Sequence, residues 1–271
     1  MRHRHLGIIG CGKMGEALVQ AILAKSEFRR TDIVCSNRNR AKRKRLRQIL
    51  GVDAVSTNTE LIRRTRLVVL AVKPQDVHAV AAEIGGNLSS EHLIISIVAG
   101  KGIRLLTKCF APAQIVRAMP NLACAVSQSA TVFCCAPRVT QSGRRLALII
   151  LSCLGPCMPL AERHFDAVTA LSGSGPGFLA FFLNEMVHAA EAHGLPHRDA
   201  RLLAAQTTLG TGAYLLHNAI NPADLIHLVT SAKGTTAAGM AILEDGSTGH
   251  AIRRAMHAAI VRSRQIAAMK P

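Results

Sequence analysis

The feature that most limits how this chain can fold is a glycine pattern, G-x-G-x-x-G, at residues 10–15. It directly follows a short apolar run, HLGIIG, and leads into KMGEALVQAILAK, whose apolar residues recur at helical spacing. A strand, a glycine turn and a helix in this order typically begin a sheet that binds a dinucleotide. The first glycine permits the tight turn, the second leaves room for a pyrophosphate, and the third lets helix and strand pack closely. We expect cofactor contacts from Gly10, Gly12, Lys13, Met14 and Gly15.

Short apolar runs alternate with amphipathic ones over the first 160 residues. The apolar runs are rich in β-branched residues, as buried strands are, and they are HLGIIG (5–10), DIVCSN (32–37), RLVVLAV (66–72), HLIISIV (92–98), QIVRAM (114–119) and ATVFC (130–134). Strands separated by helical segments predict a parallel sheet with helices on both faces. Beyond Leu160 the chain is rich in Ala and Leu and has long helical periodicity. The sequence therefore predicts an α/β fold, with a Rossmann-type dinucleotide-binding domain (1–160) and an all-α domain (161–271).

The end of the second predicted strand indicates which dinucleotide binds. Ser36, Asn37 and Arg38 stand there, without the Asp or Glu that accepts the ribose 2′-OH of NAD. An arginine can hold a 2′-phosphate through two charge-assisted hydrogen bonds. We predict NADP as the cofactor, with NADPH preferred over NADH and these three residues reading the phosphate. The remaining positive charges up to Arg47 are expected to form a solvated helix face.

A second cofactor segment follows from the geometry of such sheets. Ligands bind outside the carboxyl ends of the strands, where the strand order reverses. The segment AVKP ends one strand at that edge, which makes Ala71, Val72, Lys73 and Pro74 candidate contacts. Lys73 could face a cofactor phosphate or be an ordinary solvent-exposed loop residue.

Composition narrows the choice of partners and location. A net charge of +17 favours anionic partners, but a chain with no Trp and one Tyr lacks the aromatic side chains that stack on bases, so we expect no nucleic acid. No apolar run reaches the roughly 18 residues of a membrane span, and the start leaves no room for a signal peptide. The eight cysteines form no C-x-x-C pair and the twelve histidines are scattered. We expect a cytoplasmic protein without a metal site or a membrane contact.

Several stretches of the chain also occur in the same order in one enzyme family. They are IGCGKMGEAL, SNR, LAVKPQ, RAMPN (117–121), DAVTALSGSGP (166–176), AAQTTLGTGAYLL (204–216) and VTSAKGTTAAGMAILEDG (229–246), and the last three are the most specific. On these stretches the chain resembles the pyrroline-5-carboxylate reductases over nearly its whole length. The resemblance implies NADPH-dependent reduction of 1-pyrroline-5-carboxylate to L-proline, the last step of proline biosynthesis, by hydride transfer to the cyclic imine. It also implies that Asn58 contacts the cofactor and that the helical domain forms a homodimer, with larger rings of dimers in some members.

The resemblance further assigns a substrate loop. The family's Ser-Pro-Gly-Gly-(Thr/Ala)-Thr falls on residues 231–236 and implies substrate contacts from Ser231, Lys233, Gly234, Thr235 and Thr236. Ser231 and the neighbouring N–H groups would hold the substrate carboxylate, and Thr236 would lie beside the ring nitrogen, so that Ser231 and Thr236 serve catalysis. From the residues alone, either a carboxylate seat at a helix start or a simple threonine N-cap fits this loop.

The substrate loop departs from the family at Ala232-Lys233, where the family has Pro-Gly. A lysine restricts the backbone if its position needs a positive φ, and that restriction costs about 1 kcal/mol. Its ammonium could strengthen carboxylate binding or block the pocket.

Two other readings stay open from the sequence. One is a related NADP-dependent reductase of another cyclic imine or of a β-hydroxyacid, although the hydroxyacid enzymes carry a catalytic lysine that GPGFLAFFLNEM lacks. The other is a non-enzymatic paralogue that binds the cofactor and has lost turnover. The presence of Lys233 in the substrate loop suggests this reading.

Overall fold

An eight-stranded sheet forms the centre of the N-terminal part of the computed structural model, which describes residues 5–268. The strands are β1 (Leu6–Ile9), β2 (Ile33–Ser36), β3 (Asp53–Val55), β4 (Leu67–Leu70), β5 (Leu93–Ser96), β6 (Gln114–Met119), β7 (Thr131–Cys135) and β8 (Cys157–Pro159). Their spatial order is β3-β2-β1-β4-β5-β6-β7-β8. The order reverses between β1 and β4, so a crevice opens at the carboxyl ends of these two strands.

Helices cover both faces of the sheet, as predicted. They are α1 (Lys13–Lys25), α2 (Arg40–Leu50), α3 (Asn58–Arg64), α4 (Val77–Ile84), α5 (Ile103–Cys109) and α6 (Gln141–Ser152). Successive residues of β1 point to opposite faces: Ile8 joins an apolar cluster with α1, α2 and α6, whereas Ile9 joins a cluster with α3, α4 and α5. Burial on both faces explains why the strands read as continuous apolar runs.

The sheet differs from the predicted one at its far edge. Each predicted apolar run contains a strand, but β3 and β8, three residues each, were not predicted. The predicted parallel sheet is confirmed for most of the strands, but β7 runs antiparallel to β6, with Val116 opposite Cys135 and Met119 opposite Val132. A parallel return needs a crossover of about a dozen residues or more, usually a helix. Only a 3-10 turn at Leu122–Val126 lies between these strands, so the chain turns back instead.

The rest of the described chain, beyond β8, is helical. The helices are α7 (Phe165–Val168), α8 (Gly175–Ala192), α9 (His197–Asn218), α10 (Pro222–Val229), α11 (Thr235–Leu243) and α12 (Ser247–Ala268). The contacts divide the chain into one unit up to Ser174 together with the residues from Ala259 onward, and a second unit, Gly175–Ala258. The functional division into 1–160 and 161–271 stays a prediction.

The second unit buries few of its own apolar side chains. Its core consists of Val187, Ala200 and Ala204, where α8 packs on α9. Large apolar side chains remain exposed on these helices, among them Phe181 (65%) and Leu216 (82%). Over residues 5–268, the helices fall short of the length and apolarity needed to cross a bilayer.

Candidate active site

The glycine loop has the shape that its sequence predicts. Gly10 has φ +86°, and a Cβ built there would lie 2.6 Å from Val72 Cγ1 and 2.8 Å from Val72 N. Gly12 is the N-cap of α1, no side chain caps the helix there, and a Cβ at Gly12 would meet no described atom within 4 Å. A Cβ at Gly15 would lie 3.2 Å from the Gly10 carbonyl oxygen, so the helix and the turn are in close contact. The first-turn N–H groups of α1 therefore face open space next to the turn, and this arrangement fits a pyrophosphate.

The segment after β4 lies directly beside the glycine loop. The Ala71 N–H donates to the Ile9 carbonyl oxygen at 2.8 Å, and Val72 packs against Gly10. Lys73 is exposed and Pro74 begins a short 3-10 turn. The structure thus brings together the two segments that the sequence assigned to the cofactor.

The residues at the end of β2 have different roles. The Asn37 amide donates to the Cys11 carbonyl oxygen at 3.2 Å, which ties the β2 turn to the glycine loop. The Ser36 hydroxyl donates to Asn58 Oδ1 at 2.6 Å. Arg38 is 78% exposed, and its Nη2 lies 3.6 Å from Glu83 Oε2. Because the Arg38 end of this ion pair is exposed, solvent screens the attraction, and the guanidinium can exchange Glu83 for a phosphate.

Glu83 is a residue of this region that no sequence motif indicates. It lies on α4, and its two carboxylate oxygens accept from the backbone N–H and the side-chain amide of Asn58, each at 2.7 Å. Asn58 is buried and is the first residue of α3. Glu83 therefore fixes the position of the asparagine that the resemblance assigns to the cofactor.

The basic stretch after Arg38 forms α2, whose exposed surface carries most of the charges. Arg43 donates to the carbonyl oxygens of Asn37 and Arg38, at 2.8 Å each, and so holds the β2 turn in place. Arg45 pairs with Glu16 of α1 at 3.0 Å. Some of these charges thus stabilise the turn that leads to Arg38.

The substrate loop joins α10 to α11 in the second unit. Lys233 has φ +62°, so this position does require the left-handed backbone that a glycine adopts more easily. Gly234 is the N-cap of α11 and its N–H donates to the Ser231 carbonyl oxygen at 3.0 Å. Thr235 and Thr236 are the first two residues of the helix, so neither threonine is the N-cap. Their N–H groups have no partner within the helix, and the Ser231 hydroxyl lies next to Gly234.

The described residues offer hydrogen-bond donors and charges for binding, and desolvation makes several of their thiols harder to ionise by raising the thiol pKa. Burial raises the pKa of Cys134 to about 12, and a side-chain hydrogen bond with Cys11 raises the pKa of Cys35. The eight cysteines are free, and no group of three or more His, Cys, Asp or Glu side chains among residues 5–268 could hold a metal ion.

Comparisons with known proteins agree with these features. Residues 162–266 match the family model described as pyrroline-5-carboxylate reductase dimerisation, and residues 5–100 match that of NADP oxidoreductase, coenzyme F420-dependent. The pyrroline-5-carboxylate reductase of Methanosarcina acetivorans is 33% identical over 267 residues, 98% of this chain and 99% of the relative. That of Synechocystis is 34% identical over 261 residues, 96% of this chain and 97% of the relative.

Solved structures give the same result. Pyrroline carboxylate reductase from Plasmodium falciparum with NADP bound superposes with a TM-score of 0.88 at 26% identity, over 97% of this chain and 98% of that one. The Coxiella burnetii enzyme has a TM-score of 0.87 at 30% identity, again over 97% and 98%. The resemblance is confirmed, and the chain belongs to the pyrroline-5-carboxylate reductase family.

Proposed function

We infer that this protein reduces 1-pyrroline-5-carboxylate to L-proline with NADPH. The observation that carries this inference is the match along 98% of the chain to a relative named pyrroline-5-carboxylate reductase. The NADP-bound Plasmodium structure supports the choice of cofactor.

The cofactor site comprises the crevice between β1 and β4 and the end of β2. The pyrophosphate binds the N–H groups of the loop Gly10–Gly15, beside Ala71–Pro74, and the Arg38 guanidinium holds the 2′-phosphate. When bound, NADPH supplies the hydride that the imine carbon accepts. Ser36, Asn37 and Asn58 belong to the same cofactor site: Asn37 ties the β2 turn to the glycine loop, and Ser36 hydrogen-bonds Asn58.

Replacement of Arg38 by aspartate tests this assignment. Arg38→Asp removes a charge-assisted phosphate contact and adds a repulsive charge, so we expect KM for NADPH to rise at least about thirtyfold. KM for NADH should change by less than about threefold because NADH has no 2′-phosphate. Steady-state kinetics with both cofactors measures this, and equal losses for the two would contradict the role of Arg38.

The substrate seat is the loop Ser231–Thr236. The Ser231 hydroxyl and the free N–H groups of Thr235 and Thr236 bind the substrate carboxylate, next to Gly234, and the Lys233 ammonium adds electrostatic attraction. The Thr236 hydroxyl hydrogen-bonds the ring nitrogen. Because the imine can arrive protonated, the protein needs no strong acid or base, and its contribution to catalysis is mainly orientation.

The dimerisation match at residues 162–266 supports a homo-oligomeric protein. We propose that the dimers assemble further into rings, that the substrate is a small cyclic imino acid, and that neither nucleic acid nor membrane is a partner. The eight free cysteines support a reducing, cytoplasmic location.

The decisive experiment follows NADPH oxidation by the purified protein with 1-pyrroline-5-carboxylate and, in parallel, with its six-membered homologue. We expect turnover of the five-membered ring and a clearly lower kcat/KM for the larger one. A preference for the six-membered ring would identify a related imine reductase. NADPH binding without turnover of either ring would identify a non-enzymatic paralogue.

A further inference from the structure

We propose that Glu83 is a positioning residue that limits the preference of the cofactor site for NADPH over NADH. The inference rests on the proposed function in one respect, the placement of the 2′-phosphate at the end of β2. It adds a residue from α4 to the 2′-phosphate site, which the sequence assigned to Ser36, Asn37 and Arg38 at the end of β2.

The direction of each hydrogen bond around Asn58 follows from the chemistry of its partners. A carboxylate has only acceptors, so the end of the Asn58 side chain that faces Glu83 Oε2 at 2.7 Å must be its NH2 group. The backbone N–H of Asn58 donates to Glu83 Oε1, also at 2.7 Å. The Asn58 carbonyl oxygen, Oδ1, is thereby directed at Ser36, and it accepts the Ser36 hydroxyl at 2.6 Å.

The consequence is that the single hydroxyl proton of Ser36 is already used within the protein. A serine has one O–H donor and two acceptor lone pairs, so the Ser36 oxygen can offer only lone pairs to a ligand. A ribose 2′-OH can donate to such an oxygen. A 2′-phosphate has only acceptor oxygens at neutral pH and is repelled by it. The hydrogen bonds from Ser36 through Asn58 to Glu83 therefore favour NADH, which has a ribose 2′-OH, over NADPH, which has a 2′-phosphate.

The charge of Glu83 acts in the same direction. Its Oε2 lies 3.6 Å from Arg38 Nη2, the group that would bind the 2′-phosphate. A phosphate at Arg38 must compete with this carboxylate and also experiences its negative charge. Because Arg38 is largely exposed, solvent screens this effect, and the attraction of Arg38 for the phosphate is weakened but not abolished.

Glu83→Gln reverses the direction of the hydrogen bonds that link Glu83, Asn58 and Ser36. The Asn58 backbone N–H still needs an acceptor, so the Gln oxygen takes that place and its NH2 group faces the Asn58 side chain. Asn58 then turns its oxygen toward the glutamine and its NH2 group toward Ser36, which frees the Ser36 hydroxyl to donate to a phosphate. We expect Kd for NADPH to fall about tenfold, as for one new hydrogen bond to a charged group. Kd for NADH should stay within about twofold, because a ribose hydroxyl both donates and accepts.

The measurement is a fluorescence titration of each cofactor against the full-length protein without substrate, at low and high salt. Glu91→Gln is the matched control, because Glu91 pairs with Arg66 at the same separation of 3.6 Å but precedes β5, at the amino end of that strand, whereas the cofactor site lies at the carboxyl ends of the strands. It should change neither Kd. Equal changes in both Kd values for Glu83→Gln, or weaker NADPH binding, would overturn the proposal.

Ser36→Ala gives a second test that leaves the contacts of Glu83 with Asn58 in place. If the Ser36 proton is used by Asn58, removal of the hydroxyl should raise Kd for NADPH by less than about twofold. Kd for NADH should rise more. A loss of about tenfold for NADPH alone would mean that Ser36 donates to the phosphate, and the proposal would be wrong. Both tests measure binding, so they remain decisive even if the protein fails to reduce 1-pyrroline-5-carboxylate.

Discussion

Lys233 is one of three non-glycine residues with positive φ in the described chain, together with Ser127 and Ala219. A lysine in this conformation costs about 1 kcal/mol relative to glycine. We expect Lys233→Gly to raise the free energy of unfolding by about that amount and, because the ammonium is lost, to raise KM for the substrate about fivefold. Urea titration and steady-state kinetics measure the two effects.

Lys233→Met separates charge from backbone strain at the same position. Methionine keeps an unbranched side chain and the positive φ but has no charge, so KM should rise as in the glycine variant while stability stays unchanged. If Lys233→Gly alone raises kcat/KM many-fold, the lysine blocks the seat and the proposed attraction is wrong.

His92 makes the stability of the sheet domain depend on pH. Burial lowers the pKa of His92 below its ordinary value of 6.5. Its Nδ1 accepts from the Ser89 N–H at 3.0 Å and its Nε2 lies 3.4 Å from the Ile62 carbonyl oxygen, which suits a neutral ring. Arg66, whose Nη1 lies 3.2 Å from Nε2, also opposes protonation, whereas nearby Glu91 favours it.

The unfolded chain takes up a proton at this histidine as pH falls below about 6.5, before the folded chain does. The free energy of unfolding should therefore fall between about pH 6.5 and the lower folded pKa, by up to about 1.4 kcal/mol per pH unit. Urea titrations from about pH 7 to pH 5 should show a smaller slope for His92→Gln than for the native protein. Identical slopes would show that other groups cause the pH dependence.

Among single residues, local motifs were enough to locate the glycine loop and to single out Arg38 as a candidate phosphate ligand, because each is defined by neighbours in the chain. Glu83 could not be found in this way. Its contact with Asn58 spans 25 residues and exists only because α4 packs beside α3.

Among the elements, the turn from β1 into α1 contains two glycines, Gly10 and Gly12, that we expect to serve folding and cofactor binding respectively. Gly10→Ala places a methyl group against the backbone of Val72 at a φ of +86°, so we expect a loss of about 3 kcal/mol in the free energy of unfolding. Gly12→Ala meets no described atom and has an ordinary φ of −95°, so stability should change little. Its methyl group would instead enter the pyrophosphate space and weaken NADPH binding. Chemical denaturation and cofactor titration of both variants test this contrast, and equal destabilisation would refute it.

Local sequence patterns predicted some of the strands, whereas others, and the direction of β7, depend on tertiary contacts. Runs of buried, β-branched residues predicted six strands because both faces of those strands are covered. The three residues of β3 and of β8 are too short for such a pattern. The direction of β7 depends on the connection from β6, which contains no crossover helix, and a count of apolar runs does not reveal it.

In the whole molecule, the exposed apolar side chains of the second unit favour contact with a partner surface. We expect Phe181 of α8, 65% exposed in one chain, to become part of the interface in a homodimer built on residues 162–266. Phe181→Asp should raise the dimer dissociation constant at least about thirtyfold. Ile49 of α2 is similarly exposed, at 60%, but lies outside the matched region, so Ile49→Asp should leave the dimer intact. Sedimentation velocity distinguishes these outcomes, and dissociation by both variants would contradict the assignment.

Residue types at short, regular spacing were sufficient to predict the α/β class, the dinucleotide loop, the arginine at the end of β2 and the family. The folded structure was needed to show that β7 runs antiparallel, that Lys233 has a left-handed backbone, and that Glu83 directs the hydrogen bonds of Asn58 and Ser36. These features arise where segments distant in the chain pack together or where a loop must close between fixed ends. Their energies depend on contacts that no local pattern contains.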